Sequence, residues 1–208
     1  MTRWTLRTFV LALIPLAMPA ITLAAKVGDP APAFSAKDTY GRTYRLSDLR
    51  DRWVVLEWHN QGCPYVRKHY DSGNMQRLQK TWTEKGVIWL TVISSAPGMQ
   101  GHVTAEEANS YVKASKASPT AVLLDPSGEL GHLYEALTTP HMYVINPRGV
   151  LIYNGAIDNA PSTELSDVAD AVNYVSAALA EAMAGKPVAI PTSRPYGCSV
   201  KYAGPGKK

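Results

Sequence analysis

Cys63 has the most informative chemical context in this chain of 208 residues. It follows a turn at His59–Gly62 and the apolar run Trp53–Trp58, and Pro64 comes next, suited to the first helical position because its missing N–H costs no hydrogen bond there. A helix N-terminus presents unpaired N–H groups and partial positive charge, and Arg67 adds a cation one turn on. Comparable sites lower a cysteine pKa from about 8.5 to roughly 3.5–7.5. The pattern predicts a nucleophile toward disulfides or peroxides, with a buried structural cysteine as the alternative.

Cys198 is the second of the two cysteines. An even number fits one disulfide, but two cysteines are too few for a fold that depends on disulfides. The pair is therefore either one structural bridge or a working redox couple, and composition does not choose between them.

The N-terminal residues predict the compartment. Arg3 and Arg7 form a positive region, Thr8–Ala20 is apolar but too short to span a bilayer, and small residues follow it. This is typical of a secretory signal peptide over residues 1–25, cleaved after Ala24 or Ala25; a retained N-terminal anchor is the alternative. We expect a periplasmic or secreted protein without stable membrane insertion after cleavage.

Charge argues against nucleic-acid binding. The predicted signal peptide holds two of the 21 Lys and Arg residues and none of the 17 Asp and Glu, so 19 basic residues remain against 17 acidic ones. Nucleic-acid binding would require a clustered stripe of Lys and Arg, and the sequence has none.

The remaining sequence predicts one α/β domain over residues 26–185 and a Pro/Gly-rich, irregular tail over 186–208 that carries Cys198. Strands alternating with helices predict a mixed central sheet flanked by helices, with an N-terminal β-hairpin. The predicted strands are Ala33–Lys37, Thr43–Leu46, Trp53–Trp58, Val87–Ile93, Ala121–Leu124, His141–Ile145 and Val150–Tyr153. The predicted helices are 64–85 with a break at 71–74, 104–116 behind a Thr104/Glu107 capping box, 130–136, and 162–184 ended by Gly185.

Two motifs carry a resemblance to a known family. Gly62-Cys63-Pro64-Tyr65-Val66-Arg67-Lys68, with Thr139-Pro140-His141-Met142-Tyr143-Val144-Ile145 downstream, resembles the redoxin branch of the thioredoxin superfamily. The chain is most similar to the peroxiredoxin-like proteins grouped as alkyl hydroperoxide reductase and thiol-specific antioxidant. The similarity spans residues 26–180, and Tyr196–Tyr202 also resembles tails of that group. It implies a thioredoxin-like fold.

The resemblance also implies roles for individual residues. Thr139-Pro140 resembles the threonine and cis-proline whose backbone lies against the active sulfur and orients substrate. Glu57 resembles the buried acid of thioredoxins; a carboxyl group in an apolar wall would have a raised pKa and could move protons to or from the sulfur. A salt bridge from Glu57 to a nearby Lys or Arg is the alternative.

The sequence departs from both family patterns at the cysteine. Peroxiredoxins resemble Pro-x-x-x-Thr/Ser-x-x-Cys, but Leu56 and Asn60 occupy the Pro and Thr positions here. Asn60 could still donate a hydrogen bond to substrate. Thioredoxins resemble Cys-x-x-Cys, but Val66 stands at the second cysteine position. Cys198 is therefore the candidate resolving thiol. If the Cys63–Cys198 disulfide is instead structural, closing so long a loop could stabilise the fold by about 4–5 kcal/mol in the chain-entropy model.

Histidines suggest a rival class of site. His59 and His141 are expected near Cys63, and one Cys with two His could hold zinc or copper, although no tight ligand spacing is present. His69, His102 and His132 are interpreted as ordinary surface or turn residues.

The leading hypothesis is an exported thiol-dependent oxidoreductase that needs no cofactor or metal. Cys63 attacks peroxide or a disulfide, Cys198 resolves the product, and an external thiol reductant restores the pair. Asn60, Pro64, Arg67, Thr139, Pro140 and His141 would form the substrate pocket, and oligomerisation is possible. The second hypothesis is a non-enzymatic binding module for a metal or peptide, stabilised by a Cys63–Cys198 disulfide.

Overall fold

The structure is a computed structural model that describes residues 25–204. Its strands are β1 (Ser35–Asp38), β2 (Thr43–Arg45), β3 (Val54–Trp58), β4 (Ile88–Ile93), β5 (Ala121–Leu124), β6 (Thr138–Thr139), β7 (His141–Ile145), β8 (Leu151–Gly155) and β9 (Cys198–Ser199). Its helices are α1 (Pro64–Asp71), α2 (Asn74–Glu84), α3 (Ala105–Ser115), α4 (Glu129–Leu133) and α5 (Tyr174–Met183), with 3₁₀ turns at Leu46–Leu49 and Leu165–Val168.

A mixed seven-stranded sheet forms the centre, in the order β2-β1-β5-β4-β3-β7-β8. Strands β3, β4 and β5 are parallel, and β7 pairs antiparallel with β3. Strands β1 and β2 form the N-terminal hairpin at one edge. The predicted α/β class, mixed sheet and hairpin are confirmed; Ala121–Leu124 and His141–Ile145 have the predicted bounds, and the other predicted strands differ by one or two residues.

Strand β3 is buried on both faces, which explains its almost continuous apolar run. Val54, Leu56 and Trp58 belong to one hydrophobic core, whereas Val55 belongs to the core on the opposite face of the sheet. Since successive strand residues point to opposite faces, Glu57 is directed into that second core. The strand thereby brings the chain to Cys63 from the centre of the sheet.

The break in the first long helix is confirmed, and it lies at Ser72–Gly73 between α1 and α2. Gly73 adopts the left-handed backbone conformation with φ of 71°. The capping box at α3 is also present, with Thr104 and Glu107 bonded reciprocally.

The long helix predicted over 162–184 is wrong in its first half. Only Leu165–Val168 forms a 3₁₀ turn there, and α5 begins after Asn173, whose side chain caps the N–H of Ser176 at 2.8 Å. Leu165 and Val172 are exposed rather than part of an apolar helix face. Tyr174 donates its N–H to Ile157, so contact with the chain after β8 overrides helix continuation.

The C-terminal tail is largely irregular, as predicted, but it adheres to the domain. Thr192 bridges Asn154 on the edge strand β8, and β9 pairs with β6. Within residues 25–204, no helix has both the length and the apolar character needed to cross a bilayer. The predicted signal peptide lies outside the described residues, apart from Ala25.

Candidate active site

Cys63 lies where β3 turns into α1. It occupies the N-cap position of that helix, with extended backbone, and Pro64 takes the first helical position. The preceding turn is built by Asn60, whose carbonyl accepts the Cys63 N–H at 2.9 Å and whose Oδ1 accepts the Gly62 N–H at 2.9 Å. The Asn60 amide donates in turn to Gln100 Oε1 at 2.9 Å. The predicted position of the cysteine is thus observed, whereas both polar ends of Asn60 are used within the turn.

The Cys63 side chain is fully buried, with 0% of its surface exposed. Burial alone would raise its pKa, but hydrogen bonds toward the sulfur from Cys198, from Thr139 and from the backbone N–H of Val66 lower the pKa of Cys63 below its ordinary value. When protonated, the Cys63 thiol donates to the Thr139 carbonyl at 3.0 Å. Arg67 is more than half exposed and pairs with Asp71 at 3.5 Å, so solvent and this carboxylate screen its charge from the sulfur.

The Thr139-Pro140 peptide bond is cis, as the family resemblance implied. Thr139 is 2% exposed, and its hydroxyl oxygen is buried without a partner at ordinary hydrogen-bond distance. It lies beside the Cys63 sulfur, which it stabilises in the ionised form. The Thr139 carbonyl is therefore the acceptor for the Cys63 thiol, and the buried Thr139 hydroxyl helps to lower the pKa of that thiol.

The tail reaches this site within the same chain. Cys198 pairs with Thr139, and Ser199 with Thr138, in an antiparallel ladder. Gly197 has φ of 138°, and a Cβ there would lie 2.1 Å from the Thr139 carbonyl oxygen. Only glycine allows so close an approach of the two backbones. The two cysteines are thereby neighbours, although 135 positions separate them in the sequence.

Cys198 differs from Cys63 in protonation. Both are free thiols in this structure, and Cys198 is partly exposed. Burial, the hydrogen bond to Cys63 and the charge of the Cys63 thiolate together raise the pKa of Cys198 to about 11. The pair thus consists of one thiol whose pKa is lowered and one whose pKa is raised.

Glu57 does not have the environment expected from the sequence. Burial would raise its pKa, but the neighbouring His59 and hydrogen bonds from Trp89 at 2.7 Å and Tyr70 at 2.7 Å hold the pKa of Glu57 below its usual value. The predicted raised pKa is therefore wrong. The alternative of a Lys or Arg salt bridge is also wrong, since the ionisable partner is His59, 3.6 Å away. Every hydrogen bond of the Glu57 carboxylate stays within this core network.

The two candidate metal-ligating histidines point to other partners. His141 Nε2 donates to Asn154 at 2.8 Å, and its Nδ1 accepts the Leu137 N–H at 3.2 Å. Burial lowers the pKa of His141 to about 4, so the ring is neutral. His59 is enclosed by the rings of Tyr70 and Tyr111. Within residues 25–204, no three His, Cys, Asp or Glu side chains converge as a metal site would require.

The sequence interpretation missed a polar cluster beside the tail, and His69 is not the surface residue that was expected. The His69 side chain is 0% exposed, and its neighbours Lys68 and Asp158 are 1% and 2% exposed. Tyr196, two residues before Cys198, donates its hydroxyl to Asp158 and accepts from His69. His102 and His132 are exposed, as predicted. A Lys-His pair in the first helix gave no signal, because its partners lie about 90 and 130 residues further along the chain.

A cleft of about 590 Å³ lies beside the tail. Its walls include Thr138 and Gly197, the neighbours of Thr139 and Cys198, and Arg194 is an exposed cation among its lining residues. An external molecule in this cleft would therefore contact the backbone next to the cysteine pair.

Comparisons with known proteins agree with this architecture. A structure of a hypothetical protein from Sinorhizobium meliloti 1021 is similar with 20% identity and a TM-score of 0.73, covering 87% of this chain and 97% of that one. An uncharacterized conserved protein from Geobacillus kaustophilus is similar with 24% identity and a TM-score of 0.72, covering 92% and 100%. A Chlorobium tepidum protein described as thiol:disulfide interchange protein DsbE is similar with 23% identity and a TM-score of 0.51, covering 63% and 85%. No curated protein matches the chain.

The model of the AhpC/TSA family matches residues 27–154, which include β3, Cys63, the cis-proline and most of the sheet. This span covers more than half of the sequence and both motifs of the sequence resemblance. The chain belongs to the AhpC/TSA family and is a redoxin of the thioredoxin superfamily.

Proposed function

We propose that this protein is an exported thiol–disulfide oxidoreductase in which Cys63 and Cys198 form one intramolecular redox couple. The observation that carries the proposal is the pairing of Cys198 with Thr139, the residue whose carbonyl accepts from the Cys63 thiol at 3.0 Å. The predicted N-terminal signal sequence supports export to an oxidising compartment.

The proposed reaction begins with the Cys63 thiolate. It attacks one sulfur of a substrate disulfide, forms a mixed disulfide and releases the other substrate sulfur as a thiolate, which takes up a proton. Cys198 then loses its proton and attacks the Cys63 sulfur, so the substrate leaves as a dithiol and the protein holds a Cys63–Cys198 disulfide. An external dithiol reductant restores both thiols and is itself oxidised to a disulfide.

The environments of the two sulfurs support these roles. A lowered pKa favours the Cys63 thiolate, whereas the raised pKa of Cys198 keeps the proton on that thiol as long as the Cys63 thiolate lies beside it. When the mixed disulfide forms, the Cys63 sulfur is no longer a thiolate, so its negative charge no longer raises the pKa of Cys198. Cys198 thereby becomes easier to ionise at the step in which it must attack.

A disulfide is favoured over a peroxide as the oxidant. In the peroxiredoxin pattern a hydroxyl helps to bind the peroxide, and Asn60 stands at that position. The Asn60 side-chain amide donates both to Gln100 Oε1 at 2.9 Å and to the Gln100 carbonyl at 3.3 Å, and its Oδ1 accepts the Gly62 N–H. No donor of Asn60 is therefore free to polarise a peroxide in this geometry.

The test uses the purified protein with a dithiol as electron donor and insulin as disulfide substrate. We expect thiol-dependent reduction that Cys63→Ser abolishes, whereas Cys198→Ser accumulates a mixed disulfide that survives non-reducing electrophoresis. Hydrogen peroxide, supplied in a parallel assay with the same donor, should be consumed far more slowly than insulin is reduced. If a Cys63–Cys198 bridge forms but neither oxidant is turned over, the bridge is structural and the proposal is wrong.

A further inference from the structure

A directed chain of hydrogen bonds passes through Tyr196 on the tail, two residues before Cys198. Asn74 donates its amide to His69 Nδ1 at 2.9 Å, which leaves the proton of the neutral ring on Nε2. His69 Nε2 lies 3.2 Å from the Tyr196 hydroxyl oxygen, and that hydroxyl donates to Asp158 Oδ1. We name Asn74, His69, Tyr196 and Asp158 the Tyr196 latch.

The latch connects the two segments that carry the cysteines. His69 lies on α1, the helix that Cys63 begins, whereas Tyr196 lies on the tail two residues before Cys198. Lys68 Nζ lies 5.3 Å from the centre of the Tyr196 ring and donates to the Ala160 carbonyl at 2.5 Å. Tyr65 also packs edge-on against Tyr196, with ring centres 5.9 Å apart. Helix α1 thus holds the Tyr196 ring from two sides.

Tyr196 is the side chain nearest to Cys198 on the N-terminal side that can fix the tail, because Gly197 has none. On the other side the tail is held by the Val200 N–H on Leu137 and by the Tyr202 hydroxyl on Ala136 at 2.8 Å. The Asp158 carboxylate is 2% exposed, and a hydrogen bond to a buried charged acceptor is stronger than one to a neutral carbonyl. The latch therefore adds a buried, charge-assisted side-chain attachment to the backbone pairing of Cys198 with Thr139.

We propose that the Tyr196 latch positions Cys198 against Cys63, and that Tyr196, His69 and Asp158 are positioning residues of the redox couple. This inference rests on the proposed function. The latch sets the effective concentration of the Cys198 sulfur at the Cys63 sulfur, and a tethered group reacts in proportion to that concentration. Weakening the latch should destabilise the intramolecular disulfide relative to glutathione disulfides.

The experiment equilibrates the protein with reduced and oxidised glutathione at neutral pH. In the measured exchange, one Cys63–Cys198 disulfide and two glutathione molecules give one protein dithiol and one oxidised glutathione. Acid quenching, alkylation and mass spectrometry then quantify the disulfide, dithiol and glutathionylated forms. Tyr196→Phe keeps the ring against Tyr65 and Lys68 but removes the hydroxyl, and we expect the equilibrium to shift about tenfold toward the dithiol, with more glutathionylated protein.

Two further variants separate positioning from general stability. Tyr134→Phe removes a buried hydroxyl that bonds Pro32 at 2.8 Å, far along the chain from both cysteines, and should leave the equilibrium unchanged even if it lowers the melting temperature. Asp158→Asn keeps an acceptor for Tyr196 and should shift the equilibrium less than Asp158→Ala. Equal equilibria for Tyr196→Phe and Tyr134→Phe would overturn the inference. A wild-type protein that forms no intramolecular disulfide in any glutathione buffer would instead overturn the proposed function.

Discussion

The two cysteines lie side by side in opposite environments. Cys63 is fully buried at the start of a helix, and donors from Thr139 and the tail lower the pKa of its thiol. Cys198 is partly exposed on an irregular tail, and its neighbour raises the pKa of its thiol to about 11. The Cys198 thiol keeps its proton and donates it in a hydrogen bond to the Cys63 sulfur, which favours the Cys63 thiolate.

The segments that hold these sulfurs also differ in how they are fixed. Cys63 is placed by a strand, a turn and a helix that are contiguous in sequence. Cys198 depends on Gly197, on pairing with Thr138–Thr139 and on the Tyr196 latch, which are long-range contacts. Damage to the tail should therefore change the thiol pair while leaving the fold intact, whereas damage near Cys63 should affect both.

Gly197→Ala should have the largest effect on the thiol pair. The new Cβ would lie 2.1 Å from the Thr139 carbonyl oxygen, at a φ of 138° that L residues rarely adopt, so the tail must move away. We expect the Cys63–Cys198 disulfide to be destabilised more than a hundredfold against glutathione. The pKa of Cys63 should rise, because the hydrogen bonds from the thiol and from the backbone N–H of Cys198 are lost.

Gly204→Ala is the matched control, since nothing lies within 4 Å of a Cβ at that position. The same glutathione equilibrium and an alkylation pH profile measure both variants. A Gly197→Ala protein with wild-type values would show that the tail does not govern the Cys63 environment.

Acid should lower the stability of the fold through two buried histidines, His69 on α1 and His141 on β7. Burial lowers the pKa of His69 and of His141 to about 4, compared with about 6.5 for an unfolded histidine. Because the unfolded chain binds the extra proton first, stability falls as pH decreases below 6.5. Between pH 7 and pH 5 each histidine should lower the free energy of unfolding by about 2 kcal/mol.

Urea unfolding of wild type, His69→Gln and His141→Gln at the two pH values tests this. Each variant should lose about half of the wild-type pH dependence, and the His69 variant should also shift the thiol equilibrium. A variant with the full wild-type slope would show that its histidine does not titrate as its burial requires.

The difference between the two segments also explains what the sequence could predict. The Cys63 site follows from local rules: an apolar strand, the turn His59–Gly62 and a proline at the first helical position. The cis bond at Pro140 followed from family resemblance rather than from the residues themselves. Glu57 was misjudged because the donors Trp89, Tyr70 and Gln79 come from other elements, and strand burial alone does not reveal them.

Two other errors have the same origin. The apolar positions of 162–172 have helical spacing, but the Asn173 cap and the contact of Tyr174 with Ile157 start α5 later. His69 was assigned to the surface because its partner Asp158 lies 89 positions further along the chain. Local periodicity predicts elements well, whereas buried polar partners require the fold.

Thr139→Val should change the pKa of Cys63 without moving the tail. It removes the buried hydroxyl that stabilises the thiolate but keeps the carbonyl that accepts from the thiol. We expect the Cys63 pKa to rise by about one unit, the usual scale for one hydrogen bond to a charged group. Thiolate absorbance during pH titration of the Cys198→Ser protein measures it, with Thr138→Val as control because that hydroxyl bonds Pro140 instead. An unchanged midpoint would mean that the hydroxyl does not face the sulfur.

Arg67→Gln should have the smallest effect. The sequence suggested that this cation stabilises the thiolate, but its side chain is 64% exposed and pairs with Asp71, so solvent and the carboxylate screen its charge. We expect the Cys63 midpoint to rise by no more than a few tenths of a unit, and the shift to shrink further as salt increases. Lys80→Gln removes an equally exposed cation from an i,i+4 pair on α2 and serves as the control. A rise for Arg67→Gln as large as that for Thr139→Val would show that long-range charge matters as much as contact with the sulfur. The asymmetry of the two thiols would then depend on α1 as well as on the tail.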